Sequence, residues 1–317
     1  MQALVTGVAG FIGSHLAERL VGMGIDVVGI DSFSDFYPRK IKEYNLSKLH
    51  YQPRFSLITG SLVQLDLVHL LDRSDYIFHM AAQAGVRTSW GKNFSVYAEN
   101  NILATQRLLE ASKEVSIKKF ICASSSSVYG DTEDLPMREN GKVRPLSPYG
   151  VTKLAGEHLC DLYYKNYNVP VISLRFFTVF GPRQRPDMAF NIFLRSVLED
   201  KEITVFGDGE QTRDFTFVSD IIEGIISAMD SNSEGEIFNL GGGNRISLKQ
   251  ALDIIEKIVK SKIKIKYEEK QKGDVRNTLA DNEKAKRILG FSPKTDIEEG
   301  LTKEFEWIKE AKTKGII

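Results

Sequence analysis

The segment VTGVAGFIGSHL, residues 5–16, decides how the rest of the chain is interpreted, because it ends a short apolar run and leads into a helical pattern that begins near Phe11. Gly7, Gly10 and Gly13 fall in the turn between the two, where a side chain would keep the backbone away from a bound pyrophosphate. The N-terminus of the following helix would then face the anion. The spacing is GxxGxxG rather than GxGxxG, and glycines alone are a weak signal because glycine also serves tight turns.

A carboxylate further along the chain strengthens that signal. Asp31 ends the second apolar run, DVVGID at 26–31, roughly twenty residues after the glycines. There a carboxylate can accept hydrogen bonds from both hydroxyls of an adenosine ribose, and it would repel a 2′-phosphate. The residues therefore favour NAD over NADP, the alternative being that Asp31 merely caps a loop.

Six short strand-like runs alternate with helical stretches over the first half of the chain. They are ALVTG at 3–7, DVVGID at 26–31, FSLITG at 55–60, YIFHMAA at 76–82, KFICASS at 119–125 and VPVISLRF at 169–176. The runs are apolar throughout rather than alternating with polar residues, which is typical of a parallel sheet with helices on both faces. The pattern predicts an α/β fold with a doubly wound parallel sheet, the Rossmann architecture.

The alternation loosens after about residue 176. Loops rich in glycine follow, and they separate helices that we predict near 188–199, 219–230, 247–260 and 296–312. We expect residues 1–176 to form an NAD-binding Rossmann domain, to which the chain returns near 210–240. Residues 177–317 are expected to form mainly a smaller α/β lobe that binds the substrate.

The composition excludes several classes of protein. A chain of 317 residues, 42% hydrophobic and 26% charged, has enough material for a substantial core, which excludes disordered and fibrous proteins. The 42 basic residues balance 42 acidic ones, so a dedicated nucleic-acid or membrane-surface binder is disfavoured. Cys122 and Cys160 are too few for a disulfide framework and lack the spaced partners of a zinc site. No apolar run approaches the roughly 18 residues of a membrane span, so we expect a cytosolic protein that acts on a small soluble ligand without a metal.

A second chemical signal lies in SPYGVTK, residues 147–153. Ser147 followed by Pro148 is typical of a helix start, because serine caps the end and proline suits the first helical position. Tyr149 and Lys153 are four residues apart and therefore share one helix face. An ammonium one turn away favours the phenolate and can turn a tyrosine, which normally titrates at about 10, into a general base. The Tyr-x-x-x-Lys spacing alone is common and usually structural.

The serine run Ser124-Ser125-Ser126-Ser127 strengthens the catalytic interpretation of Tyr149 and Lys153. It follows the fifth predicted strand and so lies at the carboxyl edge of the sheet, where doubly wound folds bind ligands. A hydroxyl there can share a substrate proton. Most of the run is interpreted as a serine-rich turn, and we expect one or two of the four hydroxyls to contact substrate.

Taken together, these motifs resemble those of the NAD-dependent nucleotide-sugar epimerase/dehydratase family, a group of extended short-chain dehydrogenases/reductases. The resemblance covers essentially the whole chain. The matching segments are VTGVAGFIGSHL, the Asp31 strand end, HMAAQAGV, Asn100-Asn101, SSSSVYG, SPYGVTK, LRFFTVFGPRQRP, GEQTRDFTFVSDI and GDVRNTLAD.

The resemblance implies a set of functional residues. Around NAD it places Gly7, Gly10, Phe11, Ile12, Gly13, Asp31, Ser61, Leu62, Ala81, Ala82, Gln83, Asn100, Tyr149 and Lys153. In catalysis it places Ser125, Tyr149 and Lys153. On the nucleotide diphosphate and ribose it places Arg213, Asp274 and Arg276, where guanidinium groups suit phosphate.

Two positions depart from the family pattern. Many members have Asp and an aliphatic residue after the third strand, in contact with adenine, whereas this chain has Ser61 and Leu62. The polar adenine contact is therefore expected to differ, while NAD binding should survive. The second position is Thr178, where many members have Asn close to the substrate. This difference indicates a different subgroup of the family.

The serine run also bears on the reaction. Epimerases, 4,6-dehydratases and decarboxylases of the family share a first step, in which a base takes the 4-hydroxyl proton and hydride passes to the nicotinamide. A 4,6-dehydratase needs a further acid and base, which the family places as Asp-Glu after the fifth strand. Here Ser126 and Ser127 occupy those positions, and hydroxyls cannot supply that pair, so dehydration is disfavoured.

Three arginines bear on whether the sugar is neutral or a uronic acid. The segments GVRTSW and GPRQRPDMAF, which contain Arg87, Arg183 and Arg185, are similar to those of UDP-glucuronate 4-epimerases. A planar guanidinium matches the two oxygens of a sugar carboxylate. The alternative for each arginine is diphosphate binding or a surface ion pair.

The sequence therefore predicts a UDP-glucuronate 4-epimerase that works through a 4-keto intermediate on NAD. We expect Arg185 to hold the sugar carboxylate with hydroxyl support from Thr178, Ser126 and Ser127, and Arg87 is the second candidate. The alternatives are a UDP-glucose or UDP-N-acetylhexosamine 4-epimerase, a UDP-glucuronate decarboxylase and, from another class, a non-catalytic NAD-binding scaffold. The family resemblance further implies a homodimer formed through the helices near 93–112 and 149–167.

Overall fold

A computed structural model describes the whole chain, residues 1–317, and its largest element is a seven-stranded sheet whose neighbouring strands all run parallel. The strands of the protein are β1 (Gln2–Thr6), β2 (Asp26–Asp31), β3 (Phe55–Thr59), β4 (Tyr76–His79), β5 (Lys119–Ser125), β6 (Val171–Phe176), β7 (Thr178–Phe180), β8 (Ile203–Phe206), β9 (Thr212–Phe217), β10 (Glu236–Leu240), β11 (Arg245–Ser247) and β12 (Ile265–Glu268). The large sheet has the order β10-β6-β5-β4-β1-β2-β3. Because the order reverses beside β1, the carboxyl ends of β1 and β4 flank the crevice in which such folds bind ligands.

Helices connect the strands and cover the sheet. They are α1 (Phe11–Gly22), α2 (Arg39–Asn45), α3 (Leu67–Leu71), α4 (Phe94–Tyr97), α5 (Ala104–Ser112), α6 (Pro148–Tyr167), α7 (Ala189–Leu198), α8 (Val218–Asp230), α9 (Leu248–Val259), α10 (Glu283–Leu289) and α11 (Ile297–Thr313). A π-helical turn, Ala98–Leu103, joins α4 to α5, and short 3-10 turns occupy Arg87–Ser89, Gly91–Asn93 and Ser126–Val128. No helix combines the length and the apolar character that crossing a membrane requires.

Neighbouring side chains of the central strands β1 and β5 enter two different apolar cores. Leu4 of β1 and Phe120 of β5 belong to the core that α5 and α6 cover, whereas the adjacent Val5 and Ile121 belong to the core that includes α1 and α8. Strands buried on both faces need apolar residues at every position, which explains the continuous apolar runs in the sequence. The predicted doubly wound α/β fold is confirmed.

The second half of the chain adds two small sheets and then returns to the large one. The small sheets have the orders β11-β9-β7 and β12-β8, and they lie with α7, α9, α10 and α11 in the predicted lobe region. β10 lies between β9 and β11 in sequence, yet it pairs with β6 at the edge of the large sheet. This return falls within the predicted 210–240 segment, and the predicted division at residue 176 stays a prediction.

The helices predicted in this half are observed within one residue of their predicted ends, at α7, α8, α9 and α11. The largest difference among the predicted strands is at β4, which ends at His79, although the apolar run continues to Ala82. The chain leaves the sheet after His79, and residues 80–84 line a cleft.

Candidate active site

The turn between β1 and α1 can be built only with glycine at two positions. Gly7 has a φ of +68°, and a Cβ atom there would lie 2.7 Å from the Cα of Ala81. A Cβ atom on Gly13 would lie 2.2 Å from the carbonyl oxygen of Gly7. Gly10 precedes α1, whose first turn has no acidic residue and no side-chain cap. The N–H groups at the start of α1 are therefore available to an anion.

Asp31 is held rigidly at the end of β2. Its Oδ2 accepts a hydrogen bond from the Ala9 N–H at 3.0 Å, and its Oδ1 accepts one from the Phe33 N–H at 2.8 Å. Lys42, which is 5% exposed, places its Nζ 4.0 Å from Asp31 Oδ1 and donates to the Ser34 carbonyl oxygen at 2.9 Å. Burial lowers the pKa of Lys42, and the charge of Asp31 opposes that shift.

The glycine turn and Asp31 form one wall of a single cleft at the carboxyl edge of the sheet. Every residue that the sequence predicted around the cofactor lines this cleft: Gly7, Gly10, Phe11, Ile12, Gly13, Asp31, Ser61, Leu62, Ala81, Ala82, Gln83, Asn100, Tyr149 and Lys153. The side-chain-free turn and the uncapped α1 suit a pyrophosphate, and the buried carboxylate suits a ribose. The cleft therefore fits NAD.

The helix that carries Tyr149 and Lys153 begins as predicted. Ser147 caps α6, its Oγ accepts from the Gly150 N–H at 3.1 Å, and Pro148 is the first helical residue. Tyr149 and Lys153 face the cleft half-buried, and neither side chain takes part in a hydrogen bond or salt bridge within the protein. A phenol and an ammonium without protein partners at the wall of a cleft are free to bind a ligand.

The four serines have separate environments. Ser124 is buried at the wall of the first cleft, and its Oγ donates to Glu157. Ser125 ends β5, and its Oγ accepts from the Ser127 N–H at 3.1 Å, which caps the turn that follows. Ser126 and Ser127 line a second cavity of about 180 Å³. Ser125 lines neither cavity, so its catalytic role stays a prediction.

The second cavity gathers most of the residues predicted for the substrate. Ser126, Ser127, Thr178, Arg213 and Asp274 all line it. The guanidinium of Arg213 donates to backbone carbonyl oxygens, including that of Val275 at 2.8 Å, and burial lowers its pKa. A half-buried cation fixed in this way can receive an anionic group without rearranging.

Two other predicted arginines lie outside the walls of both cavities. Arg87 forms a salt bridge of 2.7 Å with Asp274 and lies 4.4 Å over the ring of Phe206. Arg276 binds both carboxylate oxygens of Asp208, at 2.7 and 3.0 Å. The structure therefore connects Arg87 to the second cavity through Asp274, and it connects Arg276 to that cavity through its carbonyl oxygen, which accepts from Arg213 Nη1 at 3.2 Å.

Arg183 and Arg185 are two residues apart but have different surroundings. Arg183 is 7% exposed and bonds to Glu18 of α1 at 2.6 Å, so it ties the loop to the first helix. Arg185 lines the cleft together with Tyr149 and Lys153. Its Nε and Nη2 each donate to one oxygen of Asp187 at 3.0 Å, and the charge of Asp187 raises the pKa of Arg185 against the opposing effect of burial.

Sequence reasoning missed three residues beside the predicted ones. Lys42 lies next to Asp31, and Asp187 forms a salt bridge with the guanidinium of Arg185. Asn101 bonds to the backbone of Gln83, which lines the cleft. The Asn101 side chain accepts from the Gln83 N–H at 2.7 Å and donates to the Gln83 carbonyl oxygen at 2.9 Å. The Asn100-Asn101 pair was the one available signal. Both residues lie in the π-helical turn, which directs Asn100 to the cleft and buries Asn101.

Comparison with known proteins agrees with this geometry. Residues 4–304 match the family model described as GDP-mannose 4,6 dehydratase. A Bacillus subtilis (strain 168) protein named as an uncharacterised UDP-glucose epimerase, YtcB, is 47% identical over 97% of this chain and 98% of its own. A UDP-glucuronate 4-epimerase from Thermodesulfobacterium geofontis (strain OPF15) is 40% identical over 97% of this chain and 96% of its own.

A solved structure is equally similar. The UDP-glucuronic acid 4-epimerase of Bacillus cereus, crystallised with UDP-glucuronic acid and NAD, superimposes with a TM-score of 0.96 at 45% identity, covering 98% of this chain and 99% of that one. The match spans both the large sheet and the lobe. The chain therefore belongs to the family that the GDP-mannose 4,6 dehydratase model describes, the nucleotide-sugar epimerases and dehydratases of the extended short-chain dehydrogenase/reductase type.

Proposed function

We propose that the protein is an NAD-dependent UDP-glucuronate 4-epimerase, which interconverts UDP-glucuronate and UDP-galacturonate. The observation that carries the proposal is a single cleft holding the predicted NAD residues, the Tyr149-Lys153 pair and the guanidinium of Arg185. Similarity to the enzymes from Thermodesulfobacterium geofontis and Bacillus cereus supports the same substrate.

The cofactor would be held along the carboxyl edge of the large sheet. The pyrophosphate would lie against the glycine turn and the start of α1, and the adenosine ribose would bond to Asp31. Lys153 would donate to the nicotinamide ribose, which its free ammonium and position on the cleft wall allow. NAD bound there supplies a reversible acceptor for the hydride from C4 of the sugar.

Proton transfer falls to the residues of α6 and β5. Tyr149 as phenolate takes the proton of the 4-hydroxyl, and it returns that proton after the 4-keto sugar has turned over in the site. Lys153, one helical turn away, stabilises the phenolate by its charge. Ser125, at the end of β5, assists by sharing the hydrogen bond to the 4-hydroxyl oxygen.

The uronate imposes an additional requirement. Oxidation at C4 turns the substrate into a β-keto acid, which loses carbon dioxide most easily when the bond from C5 to the carboxylate stands perpendicular to the ketone plane. A site that holds the carboxylate away from that geometry protects the intermediate. We assign this task to Arg185 of the cleft, with hydroxyl support from Thr178, Ser126 and Ser127, which line the second cavity.

Product analysis tests the proposal directly. Purified protein would be incubated separately with UDP-glucuronate, UDP-glucose and UDP-N-acetylglucosamine, and NMR would identify the products while carbon dioxide release is measured. We expect UDP-galacturonate from UDP-glucuronate, with little carbon dioxide. Stoichiometric carbon dioxide would instead make the protein a decarboxylase. No reaction with any of the sugars would favour a non-catalytic NAD-binding scaffold.

A neutral-sugar epimerase is the second candidate. The observation in its favour is the Bacillus subtilis relative, which is 47% identical and is named for UDP-glucose. A neutral sugar offers no anion to Arg185, whose charge would then stay paired with Asp187. Faster turnover of UDP-glucose than of UDP-glucuronate in the same assay would decide for this candidate.

We also propose that the enzyme is a cytosolic homodimer. The helices predicted for dimerisation carry an exposed apolar set: Val96, Leu103, Val151, Leu162 and Tyr167. Such a set on two neighbouring helices is typical of a subunit interface. Both cysteines are free thiols, which fits the reducing cytosol. Light scattering at several protein concentrations would test the dimer.

A further inference from the structure

A buried ion pair lies directly behind the end of β5. Glu157 and Arg175 have side chains that are each 3% exposed. The Nε of Arg175 donates to Glu157 Oε1 at 2.9 Å, and its Nη2 donates to Oε2 at 2.7 Å. Burial alone would lower the pKa of Arg175, but its interactions with Glu157 and Tyr129 together raise the pKa. The pair is therefore a charged, bidentate contact of fixed geometry.

Ser124 completes this contact from the neighbouring strand. Its Oγ donates to the same Glu157 Oε1 that accepts from Arg175. Ser124 and Arg175 are also direct partners in the register of β5 and β6. One carboxylate thus binds two adjacent strands close to their carboxyl ends, and Ser124 is the residue immediately before Ser125.

Glu157 shares a helix face with the predicted proton-transfer residues. It lies on α6 four residues beyond Lys153 and eight beyond Tyr149. Residues at this spacing project from the same side of a helix, so Glu157 and the two functional side chains move together with α6. A shift of α6 along β5 by one residue, about 1.5 Å, would break the bonds to Ser124 and Arg175.

The contact also reaches the turn that lines the second cavity. The Nη1 of Arg175 donates to the Tyr129 hydroxyl at 2.9 Å, and that hydroxyl donates to Asn239 Oδ1 of β10 at 2.7 Å. Tyr129 directly follows the turn Ser126–Val128. The same ion pair therefore anchors α6, three strands of the large sheet and this turn.

We propose that Glu157 is a positioning residue that acts through Ser124, fixing α6 against the end of β5 so that Tyr149 and Lys153 are aligned with Ser125. The inference rests on the proposed function, because it takes Tyr149 as the proton-transfer group. Misplacing such a group by a fraction of an ångström lowers the rate of the chemical step much more than it weakens substrate binding.

Ser124→Ala tests the proposal while leaving the Glu157–Arg175 pair intact. We expect kcat to fall at least about tenfold, with KM for UDP-glucuronate within about twofold and NAD content unchanged. The acidic limb of the kcat–pH profile should move to higher pH, because the ammonium of Lys153 stabilises the base less well from a shifted position. Ser124→Cys, which fills the same space with a weaker donor, should give an intermediate kcat.

Ser112→Ala is the matched control, since Ser112 is a buried serine on α5 that donates to the Leu108 carbonyl oxygen. It should retain wild-type kcat at a comparable melting temperature. A kcat for Ser124→Ala equal to that of Ser112→Ala would overturn the positioning role. If Ser124→Ala is too unstable to assay, the same comparison is made with Ser124→Cys.

A double-mutant comparison separates this proposal from the proposed function. In a Tyr149→Phe background, Ser124→Ala should lower the residual rate by less than about twofold, because no phenol remains to be positioned. An equal proportional loss in both backgrounds would overturn the positioning role. Wild-type turnover by Tyr149→Phe alone would overturn the proposed function instead.

Discussion

The cofactor half and the substrate half of the candidate site are built in different ways. In the cofactor half, the predicted residues line one cleft, and most of them come from the glycine turn, the start of α1 and the segments that follow neighbouring strands. In the substrate half, the predicted residues are held by one another and by loop residues: Arg213 donates to the carbonyl oxygens of Val275 and Arg276, Arg87 pairs with Asp274, and Arg276 pairs with Asp208. Residues at strand ends are brought together by the sheet itself, whereas residues on long loops meet only where the lobe places them.

The two halves meet where Tyr149, Lys153 and Arg185 line the same cleft. We expect the chemistry to occur at this junction, because the proposed function brings the sugar to the nicotinamide there. Substitutions at the junction should therefore affect turnover most, those in the cofactor half should affect cofactor choice, and those deep in the lobe should affect stability.

Tyr149→Phe should have the largest effect. The substitution removes one hydroxyl at the junction, and we expect kcat to fall at least about a hundredfold, the usual scale for a positioned acid/base group. NAD content and melting temperature should stay at wild-type values, because the Tyr149 hydroxyl makes no hydrogen bond in the protein. Near wild-type epimerisation would show that another group moves the proton.

Lys153→Ala should lower turnover to a similar extent but also weaken NAD retention. The substitution removes both the charge beside Tyr149 and the predicted donor to the nicotinamide ribose. The NAD bound to purified protein would be measured by release after denaturation. If the variant kept its full NAD content while kcat fell, Lys153 would act on Tyr149 and would not be needed to hold the nicotinamide ribose.

Arg185→Ala should distinguish the two sugar classes. Loss of a charged hydrogen bond should weaken the binding of UDP-glucuronate by roughly 1.5 to 3 kcal/mol, which corresponds to an increase in KM of about 10- to 150-fold. The KM for UDP-glucose should change little. Carbon dioxide release should rise as the carboxylate becomes free. Arg138→Ala, which removes an exposed arginine paired with Asp281, is the control. An equal loss for both sugars would mean that Arg185 does not read the carboxylate.

Asp31→Asn should relax the preference for NAD over NADP by roughly tenfold, about 1.4 kcal/mol. The amide keeps an acceptor oxygen but removes the charge that would repel a 2′-phosphate. Lys42 then becomes a cation available to the phosphate, so adding Lys42→Ala should reverse much of the gain. Cofactor binding to the apoenzyme would be measured by calorimetry. Equal affinity of the wild type for NAD and NADP would remove Asp31 as the cause of selectivity.

Asp214 should give the smallest effect, on stability alone. Burial raises the pKa of this carboxyl from its ordinary 3.8 to about 6, although it accepts from the N–H groups of Gly242 and Ala280. The folded protein then binds more protons than the unfolded chain between about pH 4 and 6, so this group stabilises the fold less as pH rises through that window. As the pH rises from about 4 to 6, the melting temperature of the wild type should therefore fall by a few degrees relative to that of Asp214→Asn. Identical pH dependence in both proteins would assign the titration elsewhere.

The sequence predicted some features because their causes are local. The glycine turn follows from the positive φ of Gly7 and from the close approach of Gly13 to the carbonyl oxygen of Gly7. Both constraints act within seven residues of the chain. Ser147 and Pro148 start α6 for reasons contained in one helical turn. The apolar runs predict the parallel sheet because strands covered on both faces tolerate few polar residues.

Other features depend on parts of the chain that are distant in sequence. Lys42 lies beside Asp31 because the segment after β2 folds back, and no motif marks it. In the sequence, nothing distinguishes Glu157 from other polar residues of a helix. Its contacts with Ser124 and Arg175 arise only because α6 packs against β5 and β6. The roles of these side chains come from their neighbours rather than from their own sequence context.

The sequence by itself determined the doubly wound sheet, the cofactor cleft and the Tyr149-Lys153 face, because each depends on backbone conformation and spacing within a few turns or strand ends. The tertiary structure alone decided that Arg185 lines the cleft while Arg183, two residues earlier, is tied to Glu18 of α1. The physical reason is that the fold brings Glu18 within reach of Arg183, whereas Arg185 pairs with Asp187 two residues along the chain and stays at the cleft wall.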